Sequence, residues 1–77
     1  MLAIAESRHP GTKHFKNLFN YDHLIGHAQA ISRVCHDTAQ EMIDELHDGP
    51  ELTSGLRKLW EAKNCFVLQV LLDEDRL

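Results

Sequence analysis

The stretch that decides the fold is Glu51–Leu72, ELTSGLRKLWEAKNCFVLQVLL, because its apolar residues have the spacing of a long amphipathic helix. At about 100° per residue, one side of this helix collects Leu52, Leu56, Leu59, Trp60, Phe66, Val67 and Val70. Lys63 projects from the centre of that apolar stripe. Burying an unpaired ammonium costs several kcal/mol. The side chain must therefore reach water, meet a carboxylate, or face an anion supplied from outside.

A second long helix should precede this one. Apolar residues recur at spacings of three and four from Leu24 to Leu46, which predicts a helix from about residue 22 to 47. Asn20 or Asp22 is suited to cap the first free amides of that helix.

The two helices are separated by Asp48-Gly49-Pro50. Glycine suits the left-handed position after a helix, and proline followed by Glu51 suits the start of the next one. We therefore predict an all-α fold with an N-terminal arm over 1–20 and an antiparallel two-helix hairpin over 21–77. Within the hairpin, the turn falls at 48–50 and the second helix spans about 51–73.

The second helix carries more apolar surface than one partner helix can cover. Cys65, Leu68 and Leu72 form a second sector nearly opposite the main stripe. On a chain this small, a second stripe favours assembly into a homo-oligomer. The alternative is that the N-terminal arm folds back and covers it.

Composition limits the partners. The 77 residues carry 12 acidic and 8 basic side chains, so a net charge of −4 argues against a DNA or RNA polymer. A small anion is not excluded as a partner, because a few basic groups can hold one or two phosphates. The two cysteines fall in helical segments and read as reduced thiols, and no apolar run approaches the roughly 20 residues that span a membrane. We expect a soluble cytoplasmic protein.

Catalytic and metal chemistry have weak signals. His23 and His27 have the i, i+4 spacing of a metal pair, yet neither cysteine shares their face. Cys35 and His36 are adjacent on a helix and point in different directions. We expect no metal, no cofactor and no enzymatic activity.

The sequence is better suited to binding a ligand that is anionic and contains an aromatic ring. Phe19-Asn20-Tyr21 lies where the arm meets the first long helix, with Lys13, His14 and Lys16 just before it. An aromatic ring there can stack on a base while basic groups take phosphate oxygens. The alternative is that Phe19 and Tyr21 only pin the arm to the hairpin. Arg33, Arg57 and Lys58 are similarly either solvated charges or ligand contacts in a multimer.

The chain resembles a family of small phage proteins, the anti-CBASS cyclic-oligonucleotide sponges and related proteins of actinobacterial phages. The likeness covers about residues 17–72 and rests on FNYDHL at 19–24, DGPELT at 48–53 and LRKLWEAK at 56–63. Such sponges are helical hairpins that assemble as hexamers and sequester cyclic dinucleotides and trinucleotides between protomers, which starves a host defence effector of its signal.

The resemblance implies a set of ligand-binding residues. Tyr21 matches the tyrosine that stacks on a nucleobase, and Asn20 would read a base edge or an amide. Arg57, Lys58 or Lys63 would meet phosphates from the second helix. A basic group is also implied on the first long helix, where Arg33 and His36 are the nearest candidates. The resemblance therefore predicts a protein in the cytoplasm of an infected bacterium.

A hypothesis of another class stays open from the residues. The hairpin could be a structural or protein-interaction module that binds no small molecule. That hypothesis predicts a monomer or dimer in which Lys63 pairs with an acidic side chain of the first long helix.

Overall fold

In the computed structural model, which describes residues 1–75, three helices follow one another: α1 (Pro10–Lys13), α2 (Gly26–Glu45) and α3 (Pro50–Asp73). Over these residues there is no strand, so the all-helical prediction is confirmed. The two long helices pack against each other and, joined by a short turn, run antiparallel. None of the described helices is long and apolar enough to cross a membrane. Residues 76 and 77 of the predicted hairpin lie outside the described residues.

The start of α2 differs from the prediction. The helix begins at Gly26, and its N-cap residue is the extended Ile25, which provides no side-chain cap. Asn20 and Asp22 therefore do not cap it, because the chain first makes a turn in which the Leu24 amide donates to the Tyr21 carbonyl at 3.0 Å. Gly26 has φ +62°, a left-handed conformation that glycine adopts without steric cost.

The turn between the long helices also differs from the prediction. Gly49 has φ 171°, which is extended rather than left-handed. The end of α2 is completed by another residue instead: the Arg8 guanidinium donates to the carbonyl oxygens of Ile43 and Leu46 at 2.8 and 2.9 Å. A cation is favourable at a helix C-terminus, where backbone carbonyls have no helical partner. Pro50 opens α3 as its spacing predicts.

The arm at 1–20 is part of the core. The fully buried Leu2, Phe15 and Phe19 join a cluster formed with the hairpin residues Cys35, Ala39, Ile43, Leu52 and Leu56. Backbone hydrogen bonds hold the arm to itself, since the Leu2 amide donates to the Lys16 carbonyl at 2.9 Å. A chain of 77 residues has little apolar surface to bury, so the arm adds a third layer that the hairpin alone lacks.

The arm lies on one side of the hairpin only. Gly11 of α1 approaches α3 closely, since a Cβ added there would lie 3.3 Å from Thr53 Oγ1. The second apolar sector of α3 stays uncovered: Cys65 is exposed, Leu68 is 48 % exposed and Leu72 is 51 % exposed. The alternative in which the arm covers this sector is therefore wrong.

Asp48 fastens the arm to the turn. Its carboxylate accepts hydrogen bonds from Arg8 Nε at 2.9 Å, from the His9 amide at 2.9 Å and from Thr12 Oγ1 at 2.7 Å. These bonds, the backbone amide of His9 first, lower the pKa of Asp48 to about 2.

The hydrogen bonds of the Asp48 carboxylate predict that the stability of the protein falls in acid. Because the pKa of Asp48 is lowered from its usual 3.8 to about 2, its contribution is complete above about pH 4 and is lost as the pH falls toward 2. We expect the unfolding free energy of Asp48→Asn to be lower than that of the wild type at pH 6, and the gap to close by pH 2. Urea unfolding at several pH values measures this. A difference in unfolding free energy that does not change with pH would contradict a stabilising role of the ionised Asp48 carboxylate.

Candidate functional site

Lys63 lies in the core between α2 and α3, where the sequence stripe predicts it. The residue is only 8 % exposed. Its ammonium has neither a hydrogen bond nor an ion pair with any side chain among residues 1–75. Burial lowers the pKa of Lys63 below its usual value. The pairing with a carboxylate of α2 that the interaction-module hypothesis predicts is absent from the described residues.

Cys35 of α2 is the electrostatic neighbour of Lys63. The thiol is 5 % exposed, and burial raises its pKa, an effect that the nearby Lys63 charge partly counteracts. A buried thiol with a raised pKa stays protonated at neutral pH and is a poor nucleophile. Cys35 is therefore a core side chain. Because the Lys63 ammonium is its electrostatic neighbour, that ammonium lies beside the middle of α2.

Tyr21, Arg33 and His36 form a cluster on the outer side of α2. The rings of Tyr21 and His36 meet edge to face, with 5.1 Å between their centroids. Arg33 places its guanidinium carbon 5.8 Å from the centre of the Tyr21 ring, a cation–π distance. Gln29 binds the backbone of Tyr21, since its side-chain amide donates to the Tyr21 carbonyl at 3.4 Å.

The ion pair between Arg33 and Asp37 beside this cluster is weak. Arg33 Nε lies 3.9 Å from an Asp37 carboxylate oxygen, and both side chains are about two-thirds exposed, at 65 and 64 %. An exposed ion pair of that length contributes little. The second Asp37 oxygen lies 3.0 Å from Nδ1 of His36. Arg33 can therefore exchange Asp37 for another anion at little cost.

Three buried polar atoms near this region have no hydrogen-bond partner among residues 1–75: Asn20 Oδ1, Ser32 Oγ and His36 Nε2. Ser32 and His36 are one helical turn apart on α2, and Asn20 precedes Tyr21, whose ring contacts His36. Buried polar groups are normally satisfied, and each unsatisfied one costs about 1–3 kcal/mol. Asn20, Ser32 and His36 therefore have unused hydrogen-bonding capacity beside Tyr21.

Two predicted residues lie elsewhere. Arg57 packs over the rings of Phe15 and Trp60, at 5.4 and 5.5 Å from their centroids, under the arm. Lys58 is exposed and lies five residues before Lys63, about 140° away around α3. The structure thus brings together Tyr21, Arg33 and His36, with Asn20 next in the chain, and separates Arg57 and Lys58 from them.

The largest described depression, of about 640 Å³, includes none of the predicted site residues. It lies at the turn and is lined by His9, Gly11, Asp48, Gly49, Pro50, Thr53 and Ser54. No group of three histidine, cysteine, aspartate or glutamate side chains that could hold a metal ion occurs in the described part of the chain.

Sequence reasoning missed Ser32 and Arg8. Ser32 could have been found, because it lies four residues before His36 and three before the core residue Cys35 on the same helix. Arg8 had no such signal, since its partners Ile43, Leu46 and Asp48 are 35 to 40 residues away.

The candidate site therefore combines an aromatic ring that has a guanidinium over it with polar atoms that lack partners among residues 1–75, while Lys63 lies beside Cys35 between α2 and α3. Such a set is suited to a ligand that carries both negative charge and a flat ring. Comparison of the chain with protein-family models, with curated proteins and with solved structures finds no match.

Proposed function

We propose that this protein is a phage anti-defence protein that sequesters cyclic di- or trinucleotide second messengers without cleaving them. By holding these messengers in the cytoplasm of the infected bacterium, it blocks CBASS-type immunity and so serves immune evasion. In this proposal the chain assembles as a homo-oligomer, a hexamer by its resemblance to the sponge family, and the ligand binds where protomers meet.

The observation that carries the proposal is Lys63. Lys63 is 8 % exposed as a residue and has no counter-charge among residues 1–75, so its partly desolvated ammonium weakens the fold. Such a cost is typical of residues that are held for binding rather than for stability. A phosphodiester is the complement that this group lacks, because it offers a diffuse negative charge with several acceptor oxygens.

The neighbouring residues supply the other contacts. A base would stack on the face of the Tyr21 ring that Arg33 leaves open, while Arg33 turns from Asp37 to a phosphate. Asn20 Oδ1, which has no partner among residues 1–75, would accept a hydrogen bond from a base edge of the ligand. His36 Nε2 would do the same from the other side of the tyrosine.

Calorimetry with a panel of cyclic di- and trinucleotides tests this function. We expect at least one of them to bind, and Tyr21→Ala to weaken that binding by about 5- to 150-fold, because base–aromatic stacking contributes about 1–3 kcal/mol. Tyr21→Phe is the matched control: it keeps the ring and should bind like the wild type.

A lack of heat with every ligand of the panel would contradict the proposal, as would equal binding by Tyr21→Ala. Sequestration without cleavage also predicts the chemical state of the bound ligand. Ligand released by heating the complex should be recovered intact and in full by chromatography.

A second candidate function, the protein-interaction module, is favoured by a separate observation. Large apolar side chains stay exposed on the hairpin, among them Val34 at 63 %, Phe66 at 54 % and Leu72 at 51 %. Exposed apolar surface of this kind marks interaction sites. Sedimentation discriminates the two functions, since a chain that stays monomeric has no interfacial ligand site.

A further inference from the structure

Two of the polar atoms around Tyr21 are hydrogen-bond acceptors, and neither has a donor among residues 1–75. The first is Asn20 Oδ1, the oxygen of a side-chain amide, and the second is His36 Nε2. Nδ1 of the same imidazole lies 3.0 Å from the Asp37 carboxylate. A carboxylate only accepts, so Nδ1 carries the proton, and Nε2 of the neutral ring keeps a free lone pair. Both acceptors therefore need a donor that the described residues do not supply.

A phosphate cannot satisfy these two atoms, because its oxygens also accept hydrogen bonds. Ser32 Oγ makes no such demand, since Ser32 is fully buried and its hydroxyl can donate or accept. The donor of the cluster is Arg33, whose guanidinium carbon lies 5.8 Å from the centre of the Tyr21 ring. The cluster thus presents a donor to phosphate oxygens and two acceptors to a group that carries N–H bonds.

The Tyr21 ring places both acceptors beside one stacked base. Asn20 precedes Tyr21 in the chain, and the His36 ring meets the Tyr21 ring edge to face with 5.1 Å between centroids. Asn20 is half-buried and the His36 side chain is 13 % exposed, so a base on Tyr21 can reach both residues by side-chain rotation. The N–H bonds that the acceptors need are therefore those of the base itself.

We propose that the site selects a base with an exocyclic amino group, which rests on the proposed function and specifies its ligand. The amino group of adenine or cytosine carries two N–H bonds, and guanine adds a ring N–H to those of its own amino group. Uracil and hypoxanthine have a ring N–H but a carbonyl oxygen and no amino group. One of the two acceptors would then lack a donor or face an oxygen, and a site built to accept from N–H groups rejects such a base.

Calorimetry with inosine ligands tests this selection, because hypoxanthine lacks the amino group of either purine and keeps the purine ring. Cyclic di-AMP and cyclic di-GMP are compared with cyclic di-IMP, and cyclic tri-AMP with cyclic tri-IMP. We expect the inosine ligand to bind about 5- to 150-fold more weakly than the tighter of its amino-bearing counterparts, as is usual when a buried acceptor loses its donor. Cyclic di-CMP and cyclic di-UMP repeat the comparison with a smaller base.

Two variants connect the selection to the acceptors. Asn20→Ala and His36→Phe each remove one acceptor, and phenylalanine keeps a ring to contact Tyr21. Each should reduce the preference for the amino-bearing ligand by about 5-fold or more. Asn17→Ala is the matched control, because it makes the same change at an exposed asparagine of the arm, and it should keep the wild-type preference. Far-UV circular dichroism verifies that all three variants stay helical.

Two outcomes would overturn the selection and leave the proposed function standing. One is an inosine or uridine ligand that binds as tightly as its amino-bearing counterpart, which would mean that water serves the acceptors in the complex. The other is a preference that neither Asn20→Ala nor His36→Phe reduces. If no ligand of the panel binds, the proposed function is wrong and the selection fails with it.

Discussion

Phe15→Ala should destabilise the protein by about 3–5 kcal/mol, close to the whole stability of a chain of this size. The ring is fully buried in the core, lies 6.3 Å from the Phe19 ring and supports the Arg57 guanidinium on its face. Its removal leaves a cavity between the arm and the hairpin. The midpoint of thermal unfolding should fall by about 15 to 30 °C, or the variant should fail to fold at all.

Phe66→Ala is the matched control for this prediction. It removes the same atoms from a ring that is 54 % exposed, so its effect should stay within about 0.5 kcal/mol. Both variants are measured by urea unfolding at low protein concentration, where self-association adds nothing to stability. Equal effects of the two substitutions would show that the arm is not part of the core.

The pair of long helices could be predicted from the sequence because its signals are local. Apolar residues at spacings of three and four define α2 and α3, and Pro50 marks where α3 begins. The arm could not be predicted in the same way. Leu2, Phe15 and Phe19 lie in no periodic pattern, and their burial depends on contacts with α2 and α3 that only the folded chain brings together.

The helix ends show the same limit. A glycine is typical of a left-handed helix end, yet α2 already ends at Glu45 with Leu46 as its C-cap, so Gly49 does not follow the helix directly. Gly49 is extended, the conformation favoured before a proline, and Arg8 binds the last carbonyls of α2 instead. Asn20 is a good capping residue by type, but the turn from Tyr21 to Leu24 delays the helix until Gly26. In both places a contact or turn outside the helix overrides the local preference.

For the candidate site, the sequence placed Lys63 at the centre of an apolar stripe, and in the structure this residue is only 8 % exposed. It could not predict which charges share one surface. Arg57 is engaged by Phe15 and Trp60, whereas Arg33 lies over Tyr21, because the path of the arm decides which side of the hairpin each residue faces.

Lys63→Met should raise the stability of the free protein by about 1–3 kcal/mol while it abolishes ligand binding. The substitution replaces a lysine that is 8 % exposed and has no charged partner among residues 1–75 by an apolar chain of similar length, which removes the cost of partly desolvating the ammonium. If Lys63 meets a phosphate, the same change removes the central charge of the site. A gain in stability excludes unfolding as the cause of lost binding.

The stability gain should depend on pH in a definite direction. The pKa of Lys63 is lowered in the folded chain, so between that value and the usual 10.5 the unfolded chain binds more protons than the folded one. The penalty of the desolvated charge is therefore complete below the lowered pKa of Lys63 and is relieved as the pH rises through it. We expect the advantage of Lys63→Met to be largest at low pH and to shrink as the pH rises toward 10.5.

Lys58→Met is the matched control, because it makes the same change in net charge at an exposed position on the same helix. It should leave both the unfolding free energy and the binding heat within error of the wild type. A Lys63→Met protein that is less stable than the wild type would mean that the ammonium is satisfied in the free chain. One that is more stable and still binds would remove Lys63 from the ligand site. The proposed function requires the remaining outcome, in which Lys63 weakens the free fold and is needed for ligand binding.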